Sequence, residues 1–125
     1  MSDILGTFGI SASGMQAQAQ RLRHLSENIA NADTPGYHRK TIPFHEVEGG
    51  KVEAGDVRLD RSDLPKIYDP AHPMADESGN YLGSNVDLIV EIADAREAQR
   101  SYEANLKLFD QSRQMAQGLL ELLRR

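Results

Sequence analysis

The sequence predicts a mainly α fold: long N- and C-terminal helices paired as an antiparallel coiled coil, with a small irregular β-hairpin and loop region between them. Three observations predict it. Apolar residues recur at alternating steps of three and four near both ends, the spacing of a helix that packs along one stripe. All five prolines lie between Pro35 and Pro73, so the helix breakers crowd into the middle. Trp is absent and aromatic residues make up 6% of the chain, which favours helix packing by Leu, Ile, Ala and Met over a core of large rings. With 125 residues the chain is long enough for one domain with one modest core. Its expected parts are an N-terminal core helix in 1–36, a central β and extended region in 37–84, and a C-terminal core helix in 85–125.

The first helix carries the stripe Leu5, Phe8, Ala12, Met15, Ala19, Leu22, Ser26 and Ile29, a heptad-like seam with Ser26 as its polar exception. No charged residue occurs between Ile4 and Gln20. A helix facing water in a free monomer is normally solvated by Lys and Glu, so this one is expected to be surrounded by protein in its working state. Gly6, Gly9 and Gly14 each cost about 1 kcal/mol against Ala inside a helix, and residues up to about Gly14 are expected to fray in the isolated chain.

The helix is expected to stop near Ala32. Pro35 disfavours helical geometry at Thr34, and Thr34, Pro35, Gly36 and Tyr37 form a turn motif in which Gly36 supplies the permissive position. Asn28 and Asn31 admit two readings. One is an ordinary polar face with a helix stop; the other is specific hydrogen bonding inside a helical assembly, where a buried Asn fixes register.

In the middle, Thr41-Ile42, Phe44 to Val47, Val57 to Leu59 and Lys66 to Tyr68 read as short strands interrupted by Pro and Gly. Its many carboxylates mark loops that face solvent or a partner. The last helix begins near Ser84-Asn85, either of which can cap it, and Asp87 and Glu91 suit its positive end. Its stripe is Leu88, Ile92, Ala95, Tyr102, Leu106, Phe109, Ala116, Leu120 and Leu123. A parallel row of Ala98, Asn105, Ser112 and Leu119 widens the face. Glu103 with Lys107, and Glu121 with Arg125, are i,i+4 pairs in the favourable order. At 1.5 Å per residue the helix spans about 57 Å. It outruns the first helix, so part of it is expected to pack on another molecule.

Function classes narrow by exclusion. The net charge of −5 argues against nucleic acid or an anionic membrane as partner. No apolar run approaches the length that spans a bilayer, so no membrane insertion is expected. The N-terminus shows no basic segment, long apolar stretch or cleavage site of a secretory signal. Without cysteines there are no disulfides, thiolate metal sites or Cys nucleophiles. His24, His38, His45 and His72 lack ligand spacing and are expected to be exposed or locally bonded. Asp76 to Asn80 reads as a β-turn rather than a cation loop, because it lacks the alternating ligands and distal Glu. No nucleophile elbow, phosphate loop or dinucleotide motif is present. No catalytic, cofactor or metal residue and no small-molecule substrate is therefore assigned.

Ser13-Gly14-Met15, Arg21-Leu22, the run Asn28-Ile29-Ala30-Asn31-Ala32-Asp33-Thr34-Pro35-Gly36-Tyr37 and Arg39-Lys40 together resemble the N-terminal signature of the bacterial flagellar basal-body rod proteins. Tyr68-Asp69-Pro70, His72-Pro73, Ala75-Asp76, Gly79, Asn85-Val86 and Arg100-Ser101-Tyr102-Glu103-Ala104-Asn105 are similar to the proximal-rod members. The chain departs from them in having Ser84-Asn85-Val86-Asp87 where Pro-Asn-Val-Asn is common. The resemblance implies a non-enzymatic structural subunit of the bacterial flagellum basal body. Such a subunit polymerises with itself and other rod proteins in a helical assembly, a hollow shaft that crosses the periplasm and transmits torque for motility. It implies type III export by the flagellar apparatus without a cleaved signal peptide, and paired terminal helices lining the tube. The residues expected to carry subunit packing are Leu5, Phe8, Met15, Leu22, Asn28, Ile29, Asn31, Tyr102, Asn105, Leu106, Phe109 and Leu120. The rival readings are a small helical adaptor that binds one soluble partner, and an enzyme using the acidic middle with His72.

Overall fold

A computed structural model describes residues 2–124: two long helices and, between them, three short antiparallel strand pairs. Helix α1 spans Ser2–Ala30 and helix α2 spans Leu88–Arg124. They lie side by side and antiparallel: Phe8 meets Phe109, Gly14 faces Asn105, Arg21 reaches Asp94 and Glu97, and Asn28 touches Glu91.

α1 is continuous from Ser2 through its glycines. Packing on it nevertheless starts late. Leu5 is 65% exposed and nothing lies within 4 Å of where a Gly6 Cβ would stand, whereas Phe8 meets the Phe109 ring edge-on at 5.1 Å. α1 ends two residues before the expected stop. The amide of Asn31 is shared between the Glu27 and Asn28 carbonyls, which tightens the last turn. Thr34 to Tyr37 then form a turn closed by Tyr37 N–H donating to Thr34 O at 3.2 Å. Pro35 presets its second position, and Gly36 holds φ at 74°, where an L side chain is disfavoured.

α2 starts later than the sequence suggested. Its cap is Asp87, whose side chain accepts from the Ile89 amide at 3.0 Å. Ser84 and Asn85 are not the cap. Ser84 donates to the Ala32 carbonyl, while Asn85 donates to the Asp60 carbonyl and accepts from the Arg39 amide. Both tie the turn after α1 to the segment before α2. Arg125, the proposed partner of Glu121, lies outside the described residues.

Strands β1 (Lys40–Thr41) and β4 (Arg58–Leu59) pair around β2 (Phe44–Glu46) and β3 (Val52–Ala54), making one long interrupted hairpin. Pro43 has no amide to donate, but its carbonyl accepts from Gly55 at 2.7 Å. The register slips by one residue across this break, as at a bulge. The Val52 amide donates to Ser13, which pins the hairpin to α1 and helps bury Ala17. A second hairpin pairs β5 (Lys66–Tyr68) with β6 (Asn80–Leu82). β3 and β6 are absent from the expected strands. The Asp76–Asn80 stretch is a β-turn as expected, closed by Gly79 N–H to Asp76 O at 3.0 Å.

Candidate functional site

The most constrained place in the molecule is a polar knot at the junction of α1, the turn and α2. Asn28, on the last turn of α1, is fully buried. Its oxygen accepts from the Lys40 amide at 2.8 Å and from the Tyr37 hydroxyl at 2.8 Å. Its NH2 donates to the Lys40 carbonyl at 2.9 Å and to Glu91 Oε2 at 3.3 Å. Two donors and two acceptor sites exhaust what a carboxamide offers, so Asn28 is satisfied without water. Through Lys40 it imitates a strand partner and holds the start of β1 against the helix.

Glu91 sits one turn into α2 and is also fully buried. Its second oxygen accepts from Arg39 Nε at 2.5 Å, and Arg39 reaches on to Asp60 at 3.4 Å. A buried carboxylate requires such a partner, since an isolated one costs several kcal/mol. The Glu91 hydrogen bond holds the Arg39 guanidinium above its usual value, and burial pushes the Tyr37 phenol up. At the rim, Lys40 bonds Glu27 at 2.8 Å and holds its carboxyl below the usual range. Asp60 is likewise lowered, chiefly by the Ser62 amide. The knot thus joins five segments: α1, the turn, β1, the β4 exit and α2.

Below it the helices meet along small and polar residues. Ser11, Ala98 and Ser112 are buried, and a Cβ on Gly14 would stand 2.7 Å from the Asn105 side chain. Gly14 therefore lets the helices approach, a role hidden behind its low helix propensity. On α2 the row facing α1 is Glu91, Ala98, Asn105 and Ser112, seven residues apart; Glu91, Ala98 and Ser112 are buried and Asn105 is half-buried. It is the secondary row of the sequence reading, extended back to Glu91, and not the apolar stripe.

Apart from the buried Leu25 and the Phe8–Phe109 pair, the large apolar residues face elsewhere. Leu106, Ile92 and Leu120 are 44–51% exposed. Leu22, Ile29, Ile92 and Ala95 line an open groove of about 510 Å³ beside the helix seam. Met15, Tyr102 and Phe109 are half-buried. Of the two asparagines, Asn28 is the buried one. Asn31 is partly exposed at the helix end, bonding the Glu27 carbonyl and Thr34. Glu91 and Arg39 carry the knot with Asn28 yet were not assigned from sequence; the seven-residue step from Ala98 back to Glu91 was the available signal. Of the histidines, His38 bonds the Asp60 carbonyl and His72 stacks on Tyr81. His24 differs from expectation: its Nδ1 is buried, has no hydrogen bond, and lies 3.7 Å from Glu27. Among the described residues, no helix is long and apolar enough to cross a membrane.

Two family models match. The model "Flagella basal body rod protein" covers residues 8–38, and "Flagellar basal body rod FlgEFG protein C-terminal" covers residues 77–122. The chain is 42% identical to the flagellar basal-body rod protein FlgC of Agrobacterium fabrum, over 92% of this chain and 91% of that one. It is 33% identical to FlgC of Aquifex aeolicus over 97% and 98%, and 31% identical to FlgC of Escherichia coli over 95% and 97%. The matched spans contain α1 from Phe8 onward with its turn and nearly all of α2, so they include Asn28, Tyr37 and Glu91 of the knot but not Arg39, Lys40 or Asp60.

Proposed function

The chain belongs to the flagellar basal-body rod proteins and is a structural subunit of the basal-body rod; we propose that it acts by polymerising helically, with itself and with other rod proteins, into the shaft that transmits torque. The observation that carries the proposal is the inverted packing of its helices. Apart from the Phe8–Phe109 contact and the buried Leu25, the seam within one chain is small and polar, while Leu5, Ile92, Leu106, Leu120 and Leu123 stay 44–74% exposed. An apolar surface that extensive on two long helices serves as an interface. The stripe residues Leu5, Met15, Leu22, Ile29, Tyr102, Leu106 and Leu120 then pack between subunits, while Phe8 and Phe109 meet each other across the seam. Asn28 and Asn105 fix the register of the pair, which assembly tightens into a coiled coil. Asn31 and the Thr34–Tyr37 turn direct the chain from 1–36 into the region 37–84, which lies outside the helical core.

A shaft of this kind has no need of catalysis, and the role is non-enzymatic. The subunit stands at the proximal end of the rod, in the periplasm. It passes the flagellar export apparatus unfolded and without a cleaved signal peptide. Apolar stripes that find their cover only in neighbours suit such a route, because ordering of the ends is offset at assembly and not before.

Amide hydrogen exchange on the purified chain and on the same chain in isolated basal bodies tests the reading. Amides before Phe8 and after Ala116 exchange freely in the first and are protected in the second. Full protection of both ends in a soluble monomer would favour the adaptor reading instead.

A further inference from the structure

We infer that the last three turns of α2 in one copy of this chain seat in the groove beside Leu22, Ile29, Ile92 and Ala95 of a second copy, the two α2 helices running parallel. The inference rests on the rod-subunit reading and names the contact through which like subunits meet.

The two surfaces lie at opposite ends of the helix pair. Phe8 is level with Phe109, so Ser2 is level with about Met115, and α2 continues about nine residues, roughly 13 Å, past the described part of α1. On that stretch Leu120, Leu122 and Leu123 are 51%, 63% and 74% exposed. The groove opens at the other end, next to the knot. A surface at one end that fits a surface at the other makes a head-to-tail contact, which propagates and does not close on itself as a two-fold contact does.

Charge supports a register. Arg100 and Glu103 rim the groove, and Arg100 forms no ion pair with a described residue. Glu121 and Arg124 stand at the same spacing on the projecting end. With the helices parallel and shifted by roughly 21 residues, about 32 Å, Glu121 comes level with Arg100 and Arg124 level with Glu103. The same shift brings Ala116 level with Ala95, Leu120 with Gln99 and Leu123 with Tyr102. Small Ala95 gives the incoming helix a close approach between Ile92 and Gln99.

The absence of native cysteine makes the test direct. A chain carrying both Gln99→Cys and Leu120→Cys, the only copy in the cell, is oxidised with diamide in intact basal bodies. The two thiols stand about 32 Å apart on one straight helix, far beyond the roughly 7 Å Cα separation a disulfide tolerates, so any bond joins two molecules. The expected result is a ladder at multiples of the chain mass, absent from either single variant. Motile cells whose basal bodies contain the chain but give no ladder overturn the contact and leave the rod reading intact. So does a single adduct of another mass, which identifies a different rod protein as the occupant. Absence of the wild-type chain from basal bodies overturns the rod reading itself. As a second measurement, Glu121→Arg and Arg100→Glu each abolish swimming and their combination restores it; a combination as immotile as the singles counts against the register.

Discussion

Asn28→Asp exchanges one NH2 for an oxygen and changes almost nothing in shape, so it isolates the electrostatics of the knot. Two donations disappear, one to the Lys40 carbonyl at 2.9 Å and one to Glu91 at 3.3 Å. In place of the second, a negative oxygen stands against the buried Glu91 carboxylate, whose compensating charge, Arg39, is already committed. Two unit charges 3.3 Å apart repel by about 5 kcal/mol at an effective dielectric constant near 20. The lost bond to Lys40 adds about 1 kcal/mol. After side-chain relaxation the net cost at pH 7 is about 3–5 kcal/mol, a large part of the 5–15 kcal/mol that holds a domain folded. The sign with pH is opposite to that of an ordinary native carboxylate. The introduced carboxyl holds its proton more tightly in the folded chain than in the unfolded one. Its protonated form is therefore compatible with folding below the unfolded value near 4, and stability is lost as pH rises through the raised folded value. Urea unfolding followed by far-UV circular dichroism at pH 7 and pH 5 measures both effects. A variant within about 0.5 kcal/mol of wild type at pH 7, or one whose deficit does not shrink at pH 5, would refute the assignment of Asn28 as a saturated donor to Glu91.

Gly14→Ala and Gly6→Ala are predicted to act in opposite directions although both raise helix propensity: the first meets Asn105 at 2.7 Å and loses about 1–2 kcal/mol, while the second has open space and gains up to about 1 kcal/mol. Equal shifts in urea midpoint would remove the close-approach role of Gly14. Glu27, Asp60 and Asp76 are all held below their usual range, by Lys40, Ser62 and Ser78 respectively. Their stabilisation is present above about pH 4 and is lost as pH falls through the folded values, so the melting temperature drops below pH 4; a flat profile from pH 6 to 3 contradicts this. Tyr102→Ala and Asn31→Leu abolish swimming by blocking rod assembly, with expression and far-UV spectrum unchanged. Wild-type swimming in both counts against their buried roles in the rod.

The two helices and the turn between them were legible in the sequence because their signals are local: a period of three and four, a Thr-Pro-Gly-Tyr turn, a Pro-free stretch after Pro73. What faces what was not. Periodicity finds the large apolar residues, and the largest stripe is ordinarily the buried one. Here the inward row of α2 is Glu91, Ala98, the half-buried Asn105 and Ser112, three of them polar, so hydrophobicity gives no hint of its burial. Glu91 was read as a dipole partner at a helix start, which is where a Glu usually belongs. Only its long-range partners Asn28 and Arg39, 63 and 52 residues away, show otherwise. Ser84 failed as a cap for the same kind of reason: its hydroxyl is claimed by the Ala32 carbonyl across the turn.

This inversion has a physical logic. Were the Leu and Ile stripes turned inward, each chain would bury its own apolar surface and leave little for a neighbour. A seam made mostly of Ser, Gly, Ala and Asn, with one Phe pair and Leu25, aligns the helices closely while spending little of that surface. Such a seam lacks the shape of large side chains to set its register, and small residues slide easily past one another. The knot supplies what the seam lacks. A buried ion pair adds less stability than apolar residues of the same volume, but it tolerates no displacement, because a shift of one turn would leave Glu91 and Asn28 unpaired in the interior. Polar residues inside fix how the helices stand to one another, and apolar residues outside hold that rigid pair to the next subunit.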